Sequence, residues 1–209
     1  MTPNSQAFDN WIRERFVAIN TELETLYSAQ KDRMAIENIG TDLKTALLEE
    51  GKSYIVALLK EGNTDEGFDS GFELMGNVGF YMAACRRHGL TNPDTDSRSP
   101  LTEASGLAMQ LGASLGVAPR FATSHLSTHN RAINGNYKSF TRLRDEYVFL
   151  EYNTRAILLF KSVAESLTRL LPLGISHTLA RDLLSSAERE LTTVVQCNEE
   201  LFERLDVDE

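Results

Sequence analysis

The chain has 209 residues, of which 42% are hydrophobic and 24% charged, and its formal net charge is −9 at pH 7. These fractions are typical of globular proteins and exclude wholesale disorder. The acidic balance disfavours nucleic acid and anionic membranes as partners, because both attract basic surfaces. No apolar run reaches the roughly 18–20 residues of a spanning helix, and the N-terminus lacks a signal-peptide pattern, so we expect a cytoplasmic protein.

Apolar residues in the first third of the chain recur at helical spacing. The first helix is predicted to start near Ser5 or Asp9, and a second apolar stripe covers residues 34–48. Gly40 is predicted to interrupt the second stripe, and Gly51 is predicted to end that helix. The first stripe comprises Trp11, Ile12, Phe16, Ile19, Leu23 and Leu26.

The middle of the chain predicts a loop over 62–71, a helix over 72–88 and a second, mobile loop over 89–100. Gly76 and Gly79 lie within the predicted helix, although each glycine costs a helix roughly 1 kcal/mol relative to alanine. They therefore indicate that another helix or a ligand approaches closely, and simple tight packing is the favoured interpretation.

The remainder of the chain predicts a helix over 101–115, a short helix over 120–128 and a turn over 130–136. Two long helices follow, over 137–171 and 176–205. The first long helix has a wide apolar arc, which indicates more than one neighbour. We therefore predict an all-α fold, a single-domain bundle of about seven mostly antiparallel helices spanning residues 1–209.

His125 and His129 are four residues apart, a spacing that would place both rings on one face of a helix. The motif lacks the third ligand that a metal site needs, so a pair of polar histidines near a helix end is the favoured interpretation. The alternative is that His125 lines a polar pocket. The other residues of that pocket would be Ser124, Ser127, Thr128 and Asn130.

His88 follows Arg86 and Arg87 at the predicted end of a helix. A solvated helix C-terminus is the favoured interpretation, because cations suit the helix dipole there. The alternative is a site that grips an anion or carboxylate through an arginine fork. Cys85 and Cys197 are expected to be free thiols in a reducing compartment.

Two stretches together resemble the monodechloroaminopyrrolnitrin synthase family. The first is GFELMGNVGFYMAACRRHG, residues 71–89, which has an aromatic pair after glycine and a closing basic-basic-His-Gly turn. The second runs from Leu111-Gly112 through Pro119-Arg120 and His125 to Asn130 and Tyr137. The resemblance implies a fold similar to the N-terminal part of the indoleamine and tryptophan 2,3-dioxygenases, which bind haem and oxidise indole rings.

The resemblance also implies candidate site residues. His125 is the candidate catalytic residue, and His129 and His177 are candidate haem ligands. Members of the family are longer and carry their proximal histidine in the C-terminal part. The axial ligand of a haem would here be His177, His125 or His129, or would come from another subunit. The pocket for a small aromatic substrate is predicted to contain Phe72, Met75, Phe80, Phe121, Ser124 and Asn130.

Two alternative functions, from different classes, therefore stay open. One is a haem-dependent, oxygenase-like activity on an indole or similar aromatic compound. The other is a non-enzymatic helical protein that forms a homodimer or binds a second subunit through its long C-terminal helices. The shortness of the chain and the missing C-terminal ligand favour the second function, and the two motifs favour an oxygenase ancestry.

Overall fold

The computed structural model describes residues 1–62, 66–92, 94–173 and 178–206, and the regular structure in these ranges is helical. The prediction of an all-α fold is confirmed. An isolated β-bridge between Ile133 and Asn136 closes the predicted turn. The helices are α1 (Pro3–Trp11), α2 (Val17–Ser28), α3 (Thr41–Glu61), α4 (Phe68–Arg87), α5 (Thr102–Leu115), α6 (Thr123–Leu126), α7 (Arg144–Leu170) and α8 (Thr178–Arg204).

A π-helical turn, Ile12–Phe16, joins α1 to α2. The first helix begins at Pro3, earlier than predicted, because the Thr2 hydroxyl accepts a hydrogen bond from the Ser5 N–H at 3.2 Å. Proline is favoured at the first helical position because its missing N–H has no partner there in any case. The apolar stripe predicted for this region is buried except at Leu26.

The second apolar stripe is helical only from Thr41 onward, so the prediction of a helix from Met34 was wrong there. Met34 lies outside a helix and is 76% exposed. Gly40 has a φ of +65°, a conformation that glycine adopts without strain, and α3 begins at the next residue. The interruption predicted at Gly40 is confirmed.

Gly51 does not end a helix but lies buried within α3. A Cβ atom added at Gly51 would lie 2.3 Å from Cε2 of Tyr81, so glycine is required by the ring that packs against it. The prediction was wrong because local propensity says nothing about a side chain from a distant helix.

The middle helices lie close to their predicted bounds. Gly89 has a φ of +72°, and the Leu90 N–H donates to the Cys85 carbonyl at 2.9 Å, which ends α4 as predicted. At its other end α4 begins at Phe68, so the preceding loop is shorter than predicted. The described residues of the predicted loop 89–100 contain no helix, and its mobility stays a prediction.

The long helix predicted over 137–171 begins only at Arg144. Residues 137–143 are not helical because their side chains make specific contacts instead, foremost Lys138, which binds carboxylates of the first helix and α4. The helix predicted over 176–205 is α8, which ends at Arg204. Residues 176 and 177 lie outside the described part of the chain.

The chain forms two compact units. The first comprises Met1–His125 and Ala132–Arg142, and the second comprises Leu126–Arg131 and Leu143–Glu209. In the second unit α7 and α8 form an antiparallel hairpin. Tyr152 of α7 donates a hydrogen bond to Glu200 of α8, and Ser162, further along α7, donates one to Glu190, which lies earlier in α8. The prediction of one domain over residues 1–209 is not tested and stays a prediction. No helix in the described ranges is long and apolar enough to cross a membrane.

Candidate functional site

Aromatic rings surround His125 in the first unit. The His125 ring centroid lies 4.2 Å from that of Phe72 and 5.5 Å from that of Phe121. The Phe121 ring in turn packs against Phe80 at 5.0 Å and Phe140 at 6.0 Å. We call Phe72, Phe80, Phe121, His125 and Phe140 the aromatic cluster. The structure brings together four of the residues singled out in the sequence, and Phe140 is one that the sequence did not reveal.

Gly76 and Gly79 of α4 make room for this cluster. A Cβ added at Gly76 would lie 3.0 Å from Cδ2 of His125, and one at Gly79 would lie 2.3 Å from Cδ2 of Phe121. Both glycines therefore serve close packing of side chains, which is the interpretation favoured from the sequence. No added ligand is needed to explain them.

His125 is held in one orientation. Its side chain is 2% exposed, and the Ala122 N–H donates to its Nδ1 at 3.0 Å. Because a backbone N–H can only donate, Nδ1 must accept, and the neutral ring carries its proton on Nε2. The hydrogen bond and the two flanking rings fix His125 as part of a packed interior.

The remaining residues predicted for a substrate pocket have diverse surroundings. Met75 is buried in the first unit, and Ser124 is half-buried. Asn130 belongs to the second unit, where its side chain is buried and donates to the Leu126 carbonyl at 3.2 Å. These contacts do not test a role in substrate binding, so the predicted pocket stays a prediction.

Of the two other candidate haem ligands, His129 is not part of the aromatic cluster. His129 is exposed, lies beyond the end of α6 and has its Nδ1 3.1 Å from the Thr128 hydroxyl. The expectation that His125 and His129 share a helix face was wrong, because α6 ends at Leu126. His177 lies outside the described residues.

His88 is 1% exposed, so its interpretation as part of a solvated helix end was wrong. The Tyr27 hydroxyl donates to Nδ1 at 3.0 Å, and Nε2 donates to Asn20 Oδ1 at 2.7 Å. Burial, followed by the charges of Arg87 and Lys44, lowers the pKa of His88 to about 4. His88 is therefore neutral near pH 7, and both its ring nitrogens are committed to protein partners.

Arg87, one of the two arginines considered for an anion site at this turn, binds a carboxylate of the same chain. Arg87 makes two hydrogen bonds to the Glu24 carboxylate, at 2.8 and 2.7 Å, and also lies over the Tyr27 ring. This fork is the bidentate geometry that arginine offers to carboxylates. The carboxylate it holds is the protein's own.

A buried charged network, which was not predicted from the sequence, lies in the first unit. Lys138 Nζ donates to Asp9 Oδ1 at 2.9 Å, to Asn77 Oδ1 at 2.9 Å and to Glu73 Oε1 at 3.2 Å. Arg13 Nε donates to Asp9 Oδ2 at 2.8 Å. Asp9 and Lys138 are each 2% exposed or less, so this network joins α1, α4 and the segment before α7.

Charge is balanced within the network by two carboxylates and two cations. Burial alone would raise the pKa of Asp9, but the charges and hydrogen bonds of Lys138 and Arg13 together lower it below its ordinary value. The available signal in the sequence was weak: Asp9 and Arg13 are four residues apart, as are Glu73 and Asn77. Only the fold shows that these two pairs share Lys138.

The described histidines do not fit a haem. A haem iron needs an axial ligand, and the macrocycle needs an apolar slot beside it. Both nitrogens of His88 bind protein groups. The His125 ring contacts the tilted ring of Phe72 and the stacked ring of Phe121, and His129 is exposed. Within the described residues, no group of three or more His, Cys, Asp or Glu side chains is placed to hold a metal ion.

The family model described as monodechloroaminopyrrolnitrin synthase PrnB matches residues 2–209. No curated protein matches the chain.

Proposed function

The chain belongs to the monodechloroaminopyrrolnitrin synthase PrnB family, a haem-dependent, oxygenase-like family. From that premise we propose that this member is a non-enzymatic protein that binds a protein partner. In this proposal the α7–α8 hairpin binds a protein partner, and the chain does not carry haem on its own. The proposal corresponds to the non-enzymatic alternative that the sequence left open.

The observation that carries this proposal is the apolar surface of the hairpin. Isolated exposed apolar residues are common on proteins, whereas extended apolar surfaces mark sites of interaction. The hairpin helices expose large apolar side chains over most of their length. These are Phe149, Leu158, Phe160, Leu167, Leu179, Leu184, Leu191, Val195 and Phe202.

Part of this surface forms a groove of about 420 Å³. It opens on the outward side of α8, with one contribution from α7. Its lining residues are Leu167, Leu184, Ala187, Glu188, Leu191, Thr192 and Val195. A shallow, mostly apolar groove along a helix suits another helix better than a compact small molecule, because helices dock into grooves through residues at three- and four-residue spacing.

The surroundings of the histidines support the same proposal. A haem-binding histidine must present a nitrogen to the iron, but His88 uses both of its nitrogens and His125 is fixed within the aromatic cluster. Because the residues of this cluster contact one another, they account for one another's packing without a bound group. The features described for the first unit therefore support a structural role.

A second candidate function is the haem-dependent oxidation of a small aromatic compound, and the family match over 2–209 is the observation that favours it. In that case His125 and its neighbours Phe72 and Phe121 would be the residues closest to an aromatic substrate. Their rings would contact the substrate, and His177 or a second chain would supply the axial ligand.

An absorption titration with haemin distinguishes the two functions. The first function predicts no Soret band that depends on His125 or His177, so the wild type and the His125→Ala and His177→Ala variants give the same spectrum. Circular dichroism serves as the control for folding. A stoichiometric Soret band in the wild type that is lost in either variant would refute the first function and support the second.

A further inference from the structure

We infer that the outward face of α8 binds the same face of a second copy of this chain, with the two α8 helices antiparallel about a two-fold axis. This inference rests on the proposed interaction function and names its partner. It is carried by the spacing, exposure and pairing of residues on α8.

α8 carries two stripes on different faces, one apolar and one mostly apolar. The first faces α7 and is buried, and it consists of Ala180, Leu183, Ala187, Val194, Cys197 and Leu201. The second is exposed, and we call it the outward seam. It consists of Leu184, Glu188, Leu191, Val195, Asn198 and Phe202. Its residues follow one another at intervals of four and three, which is the repeat of a helix that packs against another helix.

The outward seam is complementary to itself when reversed. Antiparallel pairing about the middle of the seam brings Leu191 of one copy against Val195 of the other, and Leu184 against Phe202. Each apolar residue of the seam therefore meets an apolar residue. This is the property that a two-fold interface requires, because both partners present the same surface.

The polar residues of the seam select the antiparallel direction. Antiparallel pairing places the Glu188 carboxylate opposite the Asn198 side-chain amide, which can donate a hydrogen bond to it. Parallel pairing would instead place Glu188 opposite Glu188 in an apolar surrounding, where like charges are strongly unfavourable. The charge pattern of the seam thus favours one orientation over the other.

The residues beside the seam are compatible with the same pairing. In the antiparallel register Ser185 lies near Glu199 of the other copy, and Thr192 lies near the partner's Thr192. Neither pair brings two like charges together. On the opposite side of the seam the flanking positions are the apolar residues already packed against α7, so two hairpins would form a four-helix arrangement.

The exposed area is sufficient for a standard interface. Leu184 and Leu191 are 43% and 42% exposed, Val195 is 55% exposed and Phe202 is 77% exposed. These fractions correspond to on the order of 400 Å² of exposed apolar side-chain surface per copy. A standard interface buries roughly 800 Å² on each partner, so the apolar seam would supply about half of it. Slightly more than half of a typical interface is apolar, so the polar flanks supply the remainder.

The first experiment measures the oligomeric state of the full-length chain by size-exclusion chromatography with light scattering over a dilution series. The wild type is expected to be a dimer that dissociates on dilution. Leu191→Glu and Val195→Glu should each weaken the dimer at least ~30-fold, because a charge would be buried against apolar side chains. Met109→Glu on α5, where Met109 is 67% exposed, is the matched control and should leave the dimer unchanged.

The second experiment tests the direction of pairing by disulfide cross-linking. Leu184→Cys and Phe202→Cys chains should cross-link when mixed, and neither should cross-link alone, because the two copies of either site would be about 27 Å apart along the helix axis. A parallel dimer would give the reverse pattern. The native Cys85 and Cys197 are both buried, and the unsubstituted chain measures their background.

The outcomes separate this inference from the proposed function. A wild-type monomer at all concentrations, or a dimer that survives both glutamate variants, would overturn the self-pairing of α8. Cross-linking of either cysteine variant alone would overturn the antiparallel register. The haemin titration tests the proposed function independently, since its readout is a spectrum and not an oligomeric state.

Discussion

The two units of this chain use apolar and charged residues in opposite ways. In the first unit, charged groups such as Asp9 and Lys138 are buried and paired, and the aromatic cluster is packed on itself. In the second unit, α8 buries one apolar stripe and exposes another. The first unit is therefore held by contacts within itself, whereas the second leaves an apolar surface open, which we propose a partner covers.

The largest expected effect comes from breaking the buried network of the first unit. Lys138→Met should lower the free energy of unfolding by about 3–5 kcal/mol, because it leaves the Asp9 carboxylate buried without its main partner. Urea unfolding followed by the fluorescence of Trp11, the single tryptophan, measures this. Lys161→Met, at a side chain that is 69% exposed in the second unit, is the control, with a change below about 0.5 kcal/mol. Equal effects of the two variants would contradict the comparison.

The next effect is the pH dependence of the first unit. His88 has a pKa of about 4 in the folded chain and 6.5 as the ordinary value, so the unfolded chain binds the proton first as the pH falls. Its contribution to stability is present above pH 6.5 and is lost between pH 6.5 and 4, in total about 3 kcal/mol.

Urea unfolding at several pH values, compared with His88→Gln, checks this prediction. The variant should be less stable at pH 7 but should lose less stability between pH 6.5 and 4. The lowered pKa of Asp9 adds a further loss only at lower pH, below its ordinary value of 3.8. Parallel pH profiles for the wild type and the variant would show that His88 does not titrate as its burial requires.

A smaller effect is expected from two helical glycines with opposite surroundings. Gly51→Ala should destabilise the chain by about 1–3 kcal/mol, because the new methyl group would collide with the Tyr81 ring. Gly106→Ala should stabilise it by about 0.5–1 kcal/mol, because the new Cβ would meet no atom within 4 Å beyond its own chain neighbours and the nearby helix backbone. Thermal unfolding measures both. Changes of the same sign would show that helix propensity and not packing decides these positions.

The smallest effect is a difference in the rate at which the two buried cysteines react. Burial raises the pKa of Cys85 to about 12, although a hydrogen bond with Tyr81 opposes the shift, so this thiol should be inert in the folded chain. Cys197 packs against Tyr152 and Leu201 in the two-helix hairpin. Alkylation at intermediate urea concentrations, read by mass spectrometry, should label Cys197 several-fold faster. Earlier labelling of Cys85 would place the more stable contacts in the second unit.

The sequence was most informative where structure depends on local residues. The α4 end at Gly89 and the bounds of α5 were predicted closely, because a glycine with positive φ and a regular apolar stripe act over a few neighbouring residues. The all-α class followed from the same periodicity. In the candidate site, four members of the aromatic cluster were named through the resemblance to the family and not through periodicity.

Features that depend on distant contacts could not be predicted. The helix expected from residue 137 begins seven residues later, because Lys138 binds Asp9, which is 129 positions away in the chain. The burial of His88 depends on Asn20 and Tyr27, 68 and 61 positions away. In each case a residue of a type that is usually exposed is buried, because the fold brings it to a partner that is distant in the sequence.

The most direct test of the contrast between the units is hydrogen–deuterium exchange of the full chain, measured at concentrations above and below the point of dimer dissociation. We expect dilution to increase exchange in peptides that cover residues 184–202 of α8 and to leave α3 and α4 unchanged. Exchange in α8 that does not depend on concentration, or a change confined to α3 and α4, would contradict the assignment of the open surface to α8.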